Sequence, residues 1–170
     1  MQWPDLTQVL GDTAFAVVGA VATRLYAPER NTRDLDVVVV ADEAATAREK
    51  LRNAGWQQVG ELSIGGSSWR SALGEEVDVI EVRDSWWPQA ISEAQENRDA
   101  QKLPILPMPY LVLMKFQSSR TVDIGDIARM LGQAEGSTLN ATRELFRRYE
   151  AEGLEDLESL IQLGQLEMQE

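Results

Sequence analysis

The chain of 170 residues contains no cysteine and no histidine. Without cysteine there are no disulfides, no thiolate nucleophiles and no zinc–thiolate sites. Without histidine the commonest general base, the usual catalytic triads and most transition-metal sites are excluded. Any chemistry must therefore come from carboxylates, lysine, arginine, serine, threonine or a hard cation held by oxygen ligands.

Positive charge is also scarce, with 16 basic against 28 acidic side chains and a net charge of −12. This balance argues against non-specific binding to nucleic acid or to an anionic membrane, because both need a surplus of basic groups. No apolar stretch approaches the roughly 20 residues of a membrane span, and the amino terminus lacks a signal-peptide pattern. We therefore expect a soluble cytoplasmic protein.

The order of elements predicts an α/β (α+β) fold, with a mixed β-sheet core and a helical C-terminal part. Short turns at 65–66 and 74–75 favour antiparallel pairing of the later strands. We expect a first domain over 1–134 and a helical extension over 135–170 that packs on the core or on a second copy of the chain. The predicted strands are 14–18, 35–40, 57–62, 68–73 and 77–82, and the predicted helices are 5–10, 20–26, 44–53, 89–99, 110–119, 122–134, 139–152 and 154–166.

Three aspartates accompany the predicted strands. Asp34 and Asp36 project from the same face at the start of strand 35–40, because side chains alternate along a strand. Asp78 lies between two valines of a later strand. Carboxylates crowded together favour a hard divalent cation such as Mg²⁺. The alternative is that Asp34 and Asp36 are solvated residues at a strand end and that Asp78 points to water from an edge strand.

A glycine turn precedes the aspartates. Strand 14–18 runs into Gly19 and then a helix, so backbone N–H groups and the positive end of the helix dipole can face a phosphate. Arg30 and Thr32 can contact phosphate oxygens or cap their loop. A single glycine before a helix is also a common turn device, which is the alternative interpretation.

Lys115 belongs to a predicted helix that precedes another helix carrying Asp123 and Asp126. The stem of Lys115 can pack inward and leave its ammonium group at the rim. Asp123 and Asp126 share one helix face at a spacing of three residues, where they can pair with Lys115 or Arg120. Such pairs are more often structural ties between helices than catalytic groups.

Taken together, these segments resemble the nucleotidyltransferase fold of the polymerase-beta superfamily. The resemblance covers residues 14–131, and its most specific part is the Arg-x-Thr-x-Asp-Leu-Asp block. The later segments are similar to those of small bacterial AbiEii-type nucleotidyltransferases. The segments that carry the resemblance to the polymerase-beta superfamily are Val-Val-Gly-Ala-Val-Ala at 17–22, Arg30-x-Thr32-x-Asp34-Leu35-Asp36-Val37 and Val77-Asp78-Val79. The later segments, similar to the AbiEii-type proteins, are Pro109-Tyr-Leu-Val-Leu-Met-Lys115 and Arg120-x-x-Asp123-x-x-Asp126-Ile127.

The resemblance implies transfer of a nucleoside monophosphate from a nucleoside triphosphate to an acceptor hydroxyl, with Mg²⁺ as cofactor. It implies that Asp34 and Asp36 are the main metal ligands and that Asp78 is the third carboxylate, which activates the acceptor. The acceptor is left open between a small molecule, a protein and tRNA. The other implied site residues are Gly19, Ala20, Arg30 and Thr32 toward the phosphates, Lys115 toward the triphosphate or acceptor, and Asp126, or else Asp123, orienting Lys115.

One departure from the family pattern favours a second hypothesis. Ala20 stands where the family usually has glycine or serine, which removes one possible hydrogen bond to phosphate. The alternative is therefore a non-catalytic module of the same fold that binds a nucleotide or a partner, within a toxin–antitoxin or phage-defence system. A homodimer or a cognate antitoxin is the partner expected for the acidic last helix, where residues 150–170 hold seven acids and no base.

Overall fold

The computed structural model describes residues 2–27 and 34–169. Arg30 and Thr32 lie outside the described residues. The five strands form one sheet in the order β1-β2-β5-β4-β3. Helices precede, separate and follow these strands along the chain, so the predicted α+β class is confirmed. The strands are β1 (Ala16–Val17), β2 (Leu35–Val40), β3 (Gln57–Glu61), β4 (Gly66–Arg70) and β5 (Glu76–Val82).

The sheet is mixed because one of its pairings is parallel. β2 pairs in parallel with β5, whereas β1 pairs antiparallel with β2. The strands β3, β4 and β5 follow one another through short turns and pair antiparallel, as the glycine turns predicted. β5 lies between β2 and β4, so the alternative that placed Asp78 on an edge strand is wrong.

Among the predicted boundaries that differ from the structure, the ends of β4 and α4 have local reasons. β4 ends at Arg70 instead of continuing to residue 73, because the hydroxyl of Ser71 accepts from the backbone N–H groups of Leu73 and Glu75 and closes a turn. The helix predicted over 89–99 ends at Ala94. Beyond it, Asn97 exchanges hydrogen bonds with the backbone of Ile105, which draws the chain out of the helix.

The helices are α1 (Leu6–Leu10), α2 (Gly19–Tyr26), α3 (Ala44–Asn53), α4 (Trp87–Ala94), α5 (Met108–Ser118), α6 (Thr121–Gly132), α7 (Gly136–Tyr149) and α8 (Leu154–Glu167). Both α3 and α4 pack on β2. Arg48 of α3 pairs with Glu81 of β5, three positions from Asp78 and therefore on the opposite face of the strand. The face that bears Asp78 is thus the face turned away from α3.

The described chain divides into two compact units, one of residues 2–22 and 34–106, the other of residues 23–27 and 107–169. The sheet belongs to the first unit. In the second unit α5 packs on α6 and α7, and α6 packs on α8. The boundary predicted at residues 134 and 135 lies inside the second unit, and a separate 135–170 domain stays a prediction. Among residues 2–27 and 34–169, no helix is long and apolar enough to cross a membrane.

Candidate functional site

Asp36 and Asp78 lie side by side in the centre of the sheet. They are register partners on the parallel strands β2 and β5, and adjacent strands are about 4.7–4.9 Å apart. Directly opposed side chains point from the same face, so the two carboxylates share one surface. Both residues are only partly exposed. Two like charges at this spacing repel each other, and a cation or a shared proton relieves the repulsion.

Gly19 approaches the carboxylate of Asp36 from the β1 side of β2, whereas Asp78 lies on the β5 side. β1 runs antiparallel to β2, so the end of β1 meets the start of β2, and the N–H of Val18 donates to the carbonyl of Asp36 at 2.9 Å. Gly19 has φ +61°, and a Cβ added to it would lie 2.9 Å from Cγ of Asp36. α2 begins at Gly19, so the first N–H groups of this helix, including that of Ala20, start beside Asp36.

Asp78 also lines a cleft of about 340 Å³ on the sheet. Asp34 and Asp78 both line it, which brings two of the predicted carboxylates to one cavity. The sequence prediction missed the rest of the lining, which includes Gly60 of β3, Ser68 of β4, and an ion pair between Arg70 and Glu76. Ser68 is the register partner of Asp78, so the register of the β4–β5 hairpin was the signal that would have found it.

The donor set suits a hard divalent cation at the pair of Asp36 and Asp78. Both donors are carboxylates, and Mg²⁺ takes one or two protein carboxylates while phosphates and waters complete its shell. In the part of the chain that the structure describes, no three acidic side chains form a group that can hold a metal ion. The fit to the cation thus rests on the chemistry of the two carboxylates alone, and the role of Asp34 as a further ligand stays a prediction.

Lys115 and Asp126 lie in the second compact unit and contact each other there. The ammonium group donates to Asp123 at 2.7 Å and to Asp126 at 2.8 Å. The side chains of Lys115 and Asp123 are each only 1% exposed. The prediction that the ammonium group lies at the rim is therefore wrong, because two carboxylates of α6 compensate its burial. The predicted pairing with Asp123 and Asp126 is confirmed.

Asp123 also accepts from Ser118 and Arg120, each at 2.7 Å. Burial alone would raise the pKa of Asp123, but the hydrogen bonds from Lys115, Ser118 and Arg120 outweigh it and hold this pKa below its ordinary value. Asp123 is therefore ionised at neutral pH. The cluster of Lys115, Ser118, Arg120, Asp123 and Asp126 links the end of α5 to the start of α6.

Replacing Gly19 with alanine tests the close approach to Asp36. We expect a loss of about 1–2 kcal/mol of unfolding free energy from the left-handed backbone, together with displacement of the Asp36 carboxylate by the new methyl group. Gly74→Ala is the matched control, because Gly74 also has a positive φ (+82°) but has no atom within 4 Å of an added Cβ. Urea unfolding measures the first effect, and calorimetric titration with Mg²⁺ and nucleotide measures the second. Equal loss of Mg²⁺–nucleotide affinity in both variants would contradict a specific role for the close approach of Gly19 to Asp36.

No protein-family profile matches the chain. No curated protein matches it. Among solved structures, the solution structure of the antibiotic-resistance factor ANT(2″)-Ia has 18% identity and a TM-score of 0.48, over 98% of this chain and 97% of that one. A crystal structure of ANT(2″)-Ia with adenylyl-2″-tobramycin has 14% identity and a TM-score of 0.42, over 88% and 87%. A complex of CCA-adding enzyme with CTP has 16% identity and a TM-score of 0.44, over 87% and 44%. These partial likenesses assign neither an activity nor a substrate to this chain.

Proposed function

We propose that this chain is a Mg²⁺-dependent nucleotidyltransferase that transfers a nucleoside monophosphate from a nucleoside triphosphate to an acceptor hydroxyl. The observation that carries the proposal is the placement of Asp36 beside Asp78 on central strands, with the start of α2 at Gly19 against Asp36. The sequence resemblance to the polymerase-beta superfamily points to the same residues.

Different residues would bind the cation and the phosphates. The carboxylates of Asp36 and Asp78 would hold the cation, and Asp34, which lines a cleft with Asp78, is the further ligand that the resemblance implies. The start of α2 would bind phosphate oxygens, because a helix amino terminus carries a partial positive charge that favours anions. When bound, Mg²⁺ supplies neutralisation of the negative charge on the phosphates and on the leaving oxygen.

Asp78 is the residue proposed to take the proton of the acceptor hydroxyl. The chain has no histidine, and a carboxylate within hydrogen-bond reach can act as the base. The acceptor oxygen forms a bond to the α-phosphorus, the bond from this phosphorus to the bridging oxygen breaks, and pyrophosphate leaves with that electron pair. The proton passes to Asp78 and then to solvent.

The test measures Mg²⁺-dependent release of pyrophosphate from the four ribonucleoside triphosphates, with small-molecule, protein and tRNA acceptors. Asp36→Asn and Asp78→Asn are each expected to lower the rate by at least about 100-fold, because charge interactions worth several kcal/mol are lost and each 1.4 kcal/mol is about tenfold. Asp42→Asn, at an exposed aspartate beyond the end of β2, is the matched control and keeps the wild-type rate.

Two results would contradict the proposal in different ways. Equal turnover by wild type and Asp36→Asn would mean that the pair of Asp36 and Asp78 takes no part in the reaction. Binding of Mg²⁺ and nucleotide, measured by calorimetry, without turnover on any acceptor would favour the non-catalytic module that the Ala20 departure suggests.

A further inference from the structure

The second compact unit contains a cavity that the proposed function does not use. Its volume is about 590 Å³, inside the range of about 300–1,000 Å³ that is typical of small-molecule sites. Residues from the end of α5, the start of α6 and the start of α8 line it. All of them belong to this unit, whereas Asp36 and Asp78 belong to the first. The cavity is therefore built by the helical unit alone.

The two cations that line the cavity are already paired with carboxylates that do not line it. The ammonium group of Lys115 donates to Asp123 and Asp126, and the Nε of Arg120 donates to Asp123. Neither aspartate lines the cavity. An anionic ligand would therefore have to compete with these carboxylates for a cation.

The rest of the cavity wall is largely apolar. Ile127 is only 1% exposed, whereas Ile124, one turn away on α6, is 50% exposed. Phe116 and Leu160 complete this wall from α5 and α8. The ring of Phe116 packs edge-on against Phe146, with 5.1 Å between the ring centroids, which holds it in place. Small-molecule sites are typically lined in this way, with an apolar wall and a few polar groups that orient the ligand.

Asp156 is the charged group of the lining that has no partner. Its side chain makes no hydrogen bond or ion pair with another residue among 2–27 and 34–169, and it is exposed at the rim. Residues 150–170 around it hold seven acids and no base. With Asp156, three carboxylates stand against two cations in the cavity and its paired groups. A protonated amine is therefore the charged group that this cavity attracts.

We infer that the cavity binds a small molecule with an apolar body and a protonated amine. The body packs between Phe116, Ile127 and Leu160, and the ammonium group pairs with Asp156. A second copy of the chain is disfavoured as the occupant, because its own net charge of −12 would oppose its approach to this acidic rim. The inference goes beyond the proposed nucleotidyl transfer and does not depend on it.

Fluorescence titration with dansylcadaverine tests the inference without Mg²⁺ or nucleotide. The dansyl group is apolar and brightens when it leaves water, and dansylcadaverine joins it to a primary amine. Dansylamide lacks the amine, and N-dansyl-6-aminohexanoate carries a carboxylate in its place. We expect a dissociation constant of about 10–100 µM for the amine, ordinary for a ligand of this size. Dansylamide should bind about fivefold more weakly, the usual effect of one exposed ion pair, and the carboxylate more weakly still.

Asp156→Asn tests the proposed partner of the amine. We expect it to weaken dansylcadaverine binding about fivefold and to leave dansylamide binding unchanged. Glu155→Gln is the matched control, because Glu155 is the neighbouring exposed acid of α8 and does not line the cavity. It should change the affinity for either compound by less than about twofold, since salt screens a charge outside the site.

Ile124→Lys tests the cavity wall independently of Asp156. A cation on the wall should weaken dansylcadaverine binding at least about tenfold, because it repels the amine and removes apolar contact. Val122→Lys is the matched control on the same helix, since Val122 is 54% exposed and does not line the cavity. It should change the affinity by less than about twofold. These substitutions are all at exposed positions, and circular dichroism checks that each variant is folded.

Several outcomes would overturn the inference. No fluorescence change up to about 1 mM dansylcadaverine would mean that the cavity takes no such ligand. Equal affinity for the three dansyl compounds would show that the amine is not recognised. Equal losses in Asp156→Asn and Glu155→Gln would place the compound on the acidic helix and outside the cavity. A dimer in analytical ultracentrifugation that dansylcadaverine dissociates would make a second copy of the chain the occupant.

Discussion

Replacing Lys115 with methionine is expected to lower the free energy of unfolding by about 3–5 kcal/mol, the usual effect of removing one partner from a buried ion pair. The ammonium group is enclosed between Asp123 and Asp126, at 2.7 and 2.8 Å. Methionine fills the same volume but cannot donate a hydrogen bond. The two carboxylates of α6 then lose their shared cation while they stay buried, and Asp123 keeps only the hydrogen bonds from Ser118 and Arg120 against the burial that raises its pKa.

Urea unfolding at neutral pH measures this effect, and Lys102→Met is the matched control. Lys102 is exposed, so the same loss of one charge there should change stability by no more than about 0.5 kcal/mol. Adding Asp126→Asn to Lys115→Met should restore part of the loss, since it removes one of the two orphaned charges. An unfolding free energy of Lys115→Met within 1 kcal/mol of wild type would contradict the structural role.

The same variant separates the structural role of Lys115 from the role near the triphosphate that the family resemblance implies. At a temperature where Lys115→Met is fully folded, calorimetry gives its affinity for Mg²⁺ and nucleotide. A purely structural lysine predicts unchanged affinity. A large loss of affinity in the folded variant would instead support direct contact with the nucleotide.

The strand faces on which Asp36 and Asp78 lie were predictable from the sequence because the signals for them are local. The apolar run over 35–40 fixes β2 as a buried strand, and Val77 and Val79 fix the alternation around Asp78. Because side chains alternate between the two faces of a strand, the position of each aspartate then decides the face on which it lies. That Asp36 and Asp78 are partners in one register depends on a parallel pairing between strands separated by a helix and two other strands, which no local pattern encodes.

The neighbours of Asp78 on β3 and β4 and the burial of Lys115 were not predictable for related reasons. The small size of Gly60 and Ser68 has meaning only after the bulge in β3 and the antiparallel register bring both beside Asp78. The sequence showed that Asp123 and Asp126 share a helix face, but it did not show that both would close over Lys115. A lysine on an amphipathic helix normally extends its ammonium group to water.

Gly164→Ala is expected to destabilise the protein by about 1–3 kcal/mol, the usual effect of overpacking. α6 and α8 approach so closely that a Cβ at Gly164 would lie 2.8 Å from the backbone nitrogen of Gly132 and would overlap the carbonyl of Ala128. A Cβ at Gly132 would in turn lie 3.0 Å from Cα of Gly164. Backbone atoms of two helices cannot rotate aside as a side chain can, so the helices must separate.

The direction of the change in unfolding free energy shows whether the two helices are in close contact. Gly125→Ala is the matched control. Both glycines are inside helices, where alanine is favoured by roughly 0.5–1 kcal/mol when nothing else changes. Gly125 has no atom within 4 Å of an added Cβ, so Gly125→Ala should stabilise the protein. Opposite signs in thermal unfolding would locate the α6–α8 contact at Gly164, whereas stabilisation by both substitutions would mean that the two helices are not in backbone contact. The acidic helix α8 is also tied to α7 by the ion pair between Arg143 and Glu158, so substitution at Gly164 tests the backbone contact between α6 and α8 alone.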